Sequence, residues 1–240
     1  STSTPVFSAH VALNAAPDYI ANRYDPLVNK TWLVALGVDT VDDIVLSCEQ
    51  SARGEIPSPI GMIGMTPTVF DPTQAPPGKH TSLMWHSPCA YDLADGGPER
   101  WDDLREEHLE QVMARWRQYA PNMGGENILS QLAASPLDVE RHYPNMTHGD
   151  WMCGALTADQ FLDQRPLPEL SNYRTPVEGL YLCGSSCHPG GNITGAPGYN
   201  AAGIIARDLG IDPWWHPHDL EKVWGGIPQL AEPASAGGAS

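Results

Sequence analysis

The chain has 240 residues, with 29 acidic against 13 basic side chains and a formal net charge of −16. Its 41% apolar fraction suits one large domain or two small ones with a sizeable core. The acidity disfavours nucleic acid and anionic membrane surfaces as partners, and no apolar run approaches the roughly 20 residues of a membrane span.

Twenty-three glycines and 23 prolines point to many turns and few long helices. The opening, STSTPVFSAHVAL, has neither a basic n-region nor an apolar h-region, so no secretory signal is expected. Five cysteines, Cys48, Cys89, Cys153, Cys183 and Cys187, stand at irregular spacings without a CxxC pair. That usage suits reduced thiols in a cytoplasmic protein.

Strand-forming residues dominate 5–13 and 31–38. A short helix follows: Val41, Ile44, Val45 and Cys48 keep helical spacing, Asp39 or Thr40 caps it and Gly54 ends it. Residues 57–90 read as a hairpin, two strand-like runs joined by the turn-rich DPTQAPPGK. The clearest helix is 98–121. Trp101, Leu104, Leu109, Val112, Met113, Trp116 and Tyr119 form one stripe, Pro98 suits the first turn, and acids precede Arg115 and Arg117 as the helix dipole favours. Such a stripe reads as core. Ser135 and Pro136 open another helix in SPLDVERHY. After Trp151 the chain is loop-rich, and the tail GGIPQLAEPASAGGAS is low in complexity, either disordered or draped on a partner.

The most informative stretch is YLCGSSCHPGGNITGAPGYNAAG, 181–203. Leu180 to Cys183 are apolar on successive residues, as in a strand covered on both faces of a parallel sheet. Gly184 follows at the end where open α/β sheets bind ligands. Gly190, Gly191, Gly195 and Gly198 let backbone approach a ligand, and Pro197 starts a helix packed by Ala201, Ala202, Ile204, Ile205 and Leu209 and stopped by Gly210. A helix N-terminus facing a glycine loop attracts negative charge. A phosphate fits there; so does the N1/C2=O edge of a flavin, anionic once reduced. A glycine-rich turn without a ligand is the alternative.

Other motifs fail. Gly78-Lys79 lacks the rest of a P-loop, and no GxGxxG occurs. Cys187-His188 are sequence neighbours without an orienting third group, and GSSCHPG lacks the G-x-S-x-G spacing. His216-Pro-His218 reads as a turn near the tail, and no metal is expected.

The segment ALTADQFLDQRPLPELSNYRTPVEGLYLCGSSCHPGGNITGAPGYNAA (155–202) resembles the C-terminal flavin-binding signature of phytoene-desaturase-like FAD oxidoreductases. That family includes carotenoid desaturases and isomerases and lies within the amine-oxidase-type flavoproteins. FDPTQAPPGKH, WDDLREEHLEQVMARWRQYAP and SPLDVER resemble its substrate-domain hairpin, long helix and following segment. The resemblance covers most of 5–210, but only the family's C-terminal half.

The resemblance implies an α/β chain: an α+β substrate domain with a mixed or antiparallel sheet at 1–170, the last strand–loop–helix of a Rossmann-like FAD-binding domain at 171–212, and a tail at 213–240. It implies FAD as cofactor, held by Gly184, Ser185, Gly191, Asn192, Ile193, Thr194, Gly195, Gly198 and Asn200. Ser185 stands where many relatives carry Asp, and Asn192 where glycine is common. The half carrying GxGxxG is missing, and one strand–helix unit makes no parallel sheet. A second polypeptide is therefore expected to supply the ADP-binding half of a split enzyme; a cleaved or truncated fragment is the alternative.

Within that reading the reaction is hydride transfer from an organic, largely apolar substrate to flavin, as alcohol oxidation or desaturation. His188, in the loop, is a candidate base or orienting group, or simply holds the loop. His148 is placed to take a hydroxyl proton. His86, Asp150 and Trp151 are expected to line the substrate cavity, with a sheet-face role as the alternative for His86. The rival functions are a non-catalytic binding subunit and a redox-neutral flavin-dependent isomerase.

Overall fold

The computed structural model describes residues 5–191 and 193–215. Alternation sets the first strand, β1 (Phe7–Leu13): Phe7, Ala9, Val11 and Leu13 are buried, and His10 faces outward. The expected strand at 31–38 shortens to β2 (Val34–Leu36). The helix α1 (Val41–Ala52) starts where Thr40 and Asp43 form a reciprocal capping box. The hairpin forms as read, with β3 (Met62–Met65) antiparallel to β4 (His80–His86), Met62 opposite His86 and Ile63 opposite Trp85.

The long helix α2 spans Trp101–Arg117 after a 3-10 turn at Pro98–Arg100. A strand that the sequence pattern does not announce, β5 (Ile128–Ala134), pairs with β1. The helix α3 (Pro136–His142) begins with a second capping box between Ser135 and Asp138. The five strands run in the order β2-β3-β4-β1-β5, every pair antiparallel, so this part of the chain is α+β.

One sheet face carries the core. Phe7, Leu13, Met84, Trp101, Leu109, Val112, Met113 and Trp116 are all essentially fully buried between the sheet and α2. Trp101 stacks on Phe7 at 5.7 Å between centroids and donates from Nε1 to the Ala90 carbonyl at 3.1 Å. The alternate strand positions, among them His10, Ile63, Leu83, Trp85 and Leu132, belong to the opposite face by the same pairing register.

The last part of the chain is built differently. Beyond α3 lie turns, short 3-10 segments and α4 (Ala196–Asp208), with Gly210 left-handed just after it. The run Leu180–Cys183, expected as a covered strand, is instead extended with a single bridge, Arg174 to Tyr181, and Leu180 and Cys183 are exposed. No strand of this chain lies beside it to complete a ladder among the described residues. Ala201 and Ala206 bury the inner side of α4, but Leu209 stays exposed.

Candidate functional site

The glycine loop, 184–195, is shaped by two side chains that reach it from outside. Arg165 is buried to 1% exposure. Its guanidinium donates to the carbonyls of Met152, Cys153, Gly154 and Ala155 on one side and Ser185 on the other, at 2.8–3.3 Å. A planar fork with five donors suits this task, because it can collect several carbonyls at once. Asp150, also buried, holds the first of these segments by accepting from the Met152 and Gly154 amides.

Tyr173 is the second clamp. Its hydroxyl donates to the His188 carbonyl at 2.7 Å and accepts from Asn200 Nδ2 at 2.8 Å, so it ties the loop to α4. Tyr173, Cys187 and Ala201 form a small separate core with Leu182 and Ile204 against it.

Gly195 is the N-cap of α4 with φ 66°, which glycine adopts without a Cβ penalty. Thr194 Oγ1 donates to the Gly191 carbonyl and accepts from the Ala196 amide, closing the turn before the helix. Pro197 brings no N–H, and the Gly198 amide has no partner among the described residues. A Cβ at Gly184, Gly195 or Gly198 would meet nothing within 4 Å, so bare backbone here borders open space. At Gly191 the reason for glycine is internal: a Cβ would lie 2.9 Å from Ser185 Oγ.

The expected cofactor residues thus split. Gly184, Gly195 and Gly198 border the open side, and Ile193 is fully exposed. Ser185, Thr194 and Asn200 spend polar groups on holding the loop. Asn192, the His216–His218 pair and the tail lie outside the described residues. His188 packs its ring edge-on against Phe161 at 5.1 Å, and its Nδ1 is buried without a partner among the described residues.

The expected substrate residues divide as well. Trp151 meets Trp85 at 5.6 Å on the outer sheet face, where an open cleft of about 790 Å³ runs past His10, Leu132, Val139 and Tyr143. His86 is a correction. It lies at 0% exposure in the core, on the α2 side of β4, with Nδ1 2.9 Å from His108 Nε2. Burial, then the neighbouring His108, pushes its pKa down to about 3. The period-2 alternation that puts Trp85 on the outer face puts His86 on the inner one. Asp150 is likewise buried beneath its turn and not on the cleft.

His148 is exposed, left-handed at φ 57°, and lines a different, more polar cleft of about 870 Å³ with Cys48, Arg53 and Tyr91. Its amide donates to Glu140 at 2.8 Å, and the Tyr91 hydroxyl donates to the same carboxylate. Those bonds, Tyr91 first, hold Glu140 below the usual carboxylate range. Burial and Glu140 push Tyr91 up to about 12. The structure does not join His148 to the glycine loop through any described contact.

Sequence reasoning missed the clamps Arg165 and Tyr173 as individual residues. Their signal is present: both fall within the DQRP and YRTP elements that carry the family likeness.

No family model matches the chain. Curated relatives do. It is 31% identical over 214 residues to a limonene dehydrogenase subunit of Castellaniella defragrans, covering 88% of this chain and 38% of that one. It is 34% identical over 213 residues to pyridine nucleotide-disulfide oxidoreductase domain-containing protein 2 of Rattus norvegicus, covering 87% and 36%. A phytoene desaturase (neurosporene-forming) of Cereibacter sphaeroides is 27% identical over 170 residues, covering 70% and 29%. These likenesses support the resemblance to an FAD oxidoreductase family. It spans less than two fifths of the length of the relatives it matches.

Proposed function

We propose that this chain is the flavin-side and substrate-side part of an FAD-dependent oxidoreductase. Residues outside it, on a second polypeptide, supply the ADP-binding half. The observation that carries the reading is the glycine loop: bare backbone at Gly184, Gly195 and Gly198 borders open space at the N-terminus of α4, where an amide is free. Such an end favours a group that gains negative charge.

Gly184, Gly191, Gly195 and Gly198 would hold the cofactor with their backbone, and Thr194 and Asn200 would fix the loop around it. FAD, when bound, supplies the hydride acceptor. The chain's own residues position and shield. Arg165 and Tyr173 keep the loop from collapsing into the open space, and His188, within the loop, packs against Phe161. The outer sheet face, with Trp85, Leu132 and Trp151, offers an apolar wall for an organic substrate losing hydride from a C–H bond.

The need for a partner is supported by uncovered apolar surface. Of α1 only Ser47 is buried, while Val41, Ile44, Val45 and Leu46 are exposed. Leu180, Ile193, Tyr199, Leu209 and Trp214 are exposed around the loop and α4. Several large exposed apolar side chains on one element suit an interface.

The test is gentle purification from the native host, with a visible spectrum and mass identification of every co-purifying polypeptide. A bound flavin together with a second chain carrying GxGxxG is expected. A colourless, well-folded single chain that also ignores added FAD contradicts the proposal and favours a non-catalytic binding subunit. Net reduction of an electron acceptor separates a dehydrogenase from a redox-neutral isomerase.

A further inference from the structure

The outer face of the sheet carries a polar pair in the cleft beside Trp85 and Trp151. Ser8 and His10 occupy alternate positions of β1, so both side chains leave the same face. Ser8 Oγ and His10 Nε2 are 2.7 Å apart. The other ring nitrogen, Nδ1, has no partner among the described residues. His10 borders both clefts of this face, the one of about 790 Å³ and a second of about 380 Å³, and the two also share Leu132. The pair thus stands at the junction of one groove.

The surroundings are mostly apolar. Val6, Trp85, Leu132, Ala134 and Trp151 line the larger cleft near it. The charged groups facing that cleft come from α2 and α3: Arg105, Glu106, Asp138, Arg141 and the titratable His142, with Tyr143 beside them. Arg105 is bonded to Glu106 and Asp138, and Arg141 to Asp102. Their charges are therefore engaged with one another, leaving Ser8, His10 and the Trp85 indole N–H as the hydrogen-bonding groups on the strands of the larger cleft, with Thr81 and Ser130 further along in the smaller one. Burial lowers the pKa of His10, which keeps the ring neutral at pH 7.

A neutral imidazole has one donor and one acceptor nitrogen. Whichever way the Ser8 contact runs, Nδ1 keeps the complementary role, on a ring that borders both clefts. A hydroxyl group answers both cases because it donates and accepts; a pure hydrocarbon answers neither.

We infer that Ser8 and His10 form a recognition site for the hydroxyl group of a ligand whose remainder is apolar, seated between Trp85, Leu132 and Trp151. This rests on the reading of that face as the substrate wall, and it narrows the substrate class to hydroxyl-bearing apolar molecules.

The test uses the full chain labelled with ¹⁵N-histidine and ¹⁵N-tryptophan, the Trp85 and Trp151 indole signals reading affinity in every variant, and two probes, cyclohexylmethanol and methylcyclohexane. Cyclohexylmethanol is expected to shift the His10 ring signals saturably. His10→Phe is expected to weaken cyclohexylmethanol about tenfold while leaving methylcyclohexane within about twofold, the size of one lost hydrogen bond. His10→Gln, which keeps a hydrogen-bonding group, is expected to restore most of the difference, and Ser8→Ala to retain folding as read by circular dichroism. Equal effects of His10→Phe on both probes, or no saturable shift of His10 with the alcohol, overturn the inference. Neither result touches the flavin reading, which stands or falls on the co-purified spectrum. A flavin-free complex whose groove still selects the alcohol would separate the two in the other direction.

Discussion

The sheet with α2 and the segment after Asp150 solve stability in opposite ways. The first buries apolar area: Phe7, Met84, Leu109, Val112, Met113 and Trp116 close one apolar layer, and each strand is paired in a ladder. The second has a small core of three residues and depends on side chains bonded to backbone carbonyls, Arg165 above all. It also leaves Leu180, Ile193, Leu209 and Trp214 uncovered. On the proposed function, that uncovered surface is the part met by residues outside this chain.

The contrast can be broken from either end. Truncating Trp101 to alanine should cost about 3–5 kcal/mol of global stability, because it removes the stack on Phe7 and leaves a cavity; urea unfolding reads it directly. Arg165→Met should act locally. Five carbonyls lose a charged donor, a loss on the order of 3 kcal/mol. Hydrogen exchange should then lose protection at 152–155 and 184–190 while β1 and β4 keep theirs. Equal loss in both regions would mean the two are one cooperative unit.

The buried histidine pair sharpens the comparison through pH. His86 is depressed to about 3 and His108 is lowered, each by burial first. Both bind protons more readily when unfolded, so their contribution is complete above the unfolded value near 6.5 and declines as pH falls below it, for His86 down toward 3. The slope should reach up to about 1.4 kcal/mol per pH unit for each proton taken up. His86→Phe should flatten it, and a denaturation series from pH 7 to 4 checks this. A smaller effect is expected at the second clamp. Tyr173→Phe removes the bonds to His188 and Asn200 and should cost about 1 kcal/mol, seen as faster exchange around 187–190 and 200.

Legibility in the sequence follows the same division. Helices α1, α2 and α3 are readable because capping residues and 3.6-residue spacing are local signals, and Thr40 and Ser135 cap as their types suggest. The β3–β4 hairpin is readable from its turn. The strand β5 is not: ILSQLAA has no clean alternation, and it is placed by pairing with β1, a contact between residues more than a hundred positions apart. His86 is misassigned to a cavity because the side a strand residue faces depends on register, which the chain alone does not mark. The glycine loop is legible as a loop before a helix. Its support is not, since Arg165 and Tyr173 act across loops of irregular length on carbonyls that any residue carries.

The central claim is that the loop and α4 form a surface completed from outside this chain. Hydrogen-exchange mass spectrometry of the chain alone and in its purified native assembly tests it most directly. The account predicts that 180–203 and α1 gain protection in the assembly while β1, β4 and α2 stay unchanged. Protection at 180–203 that is identical in the two states would contradict it.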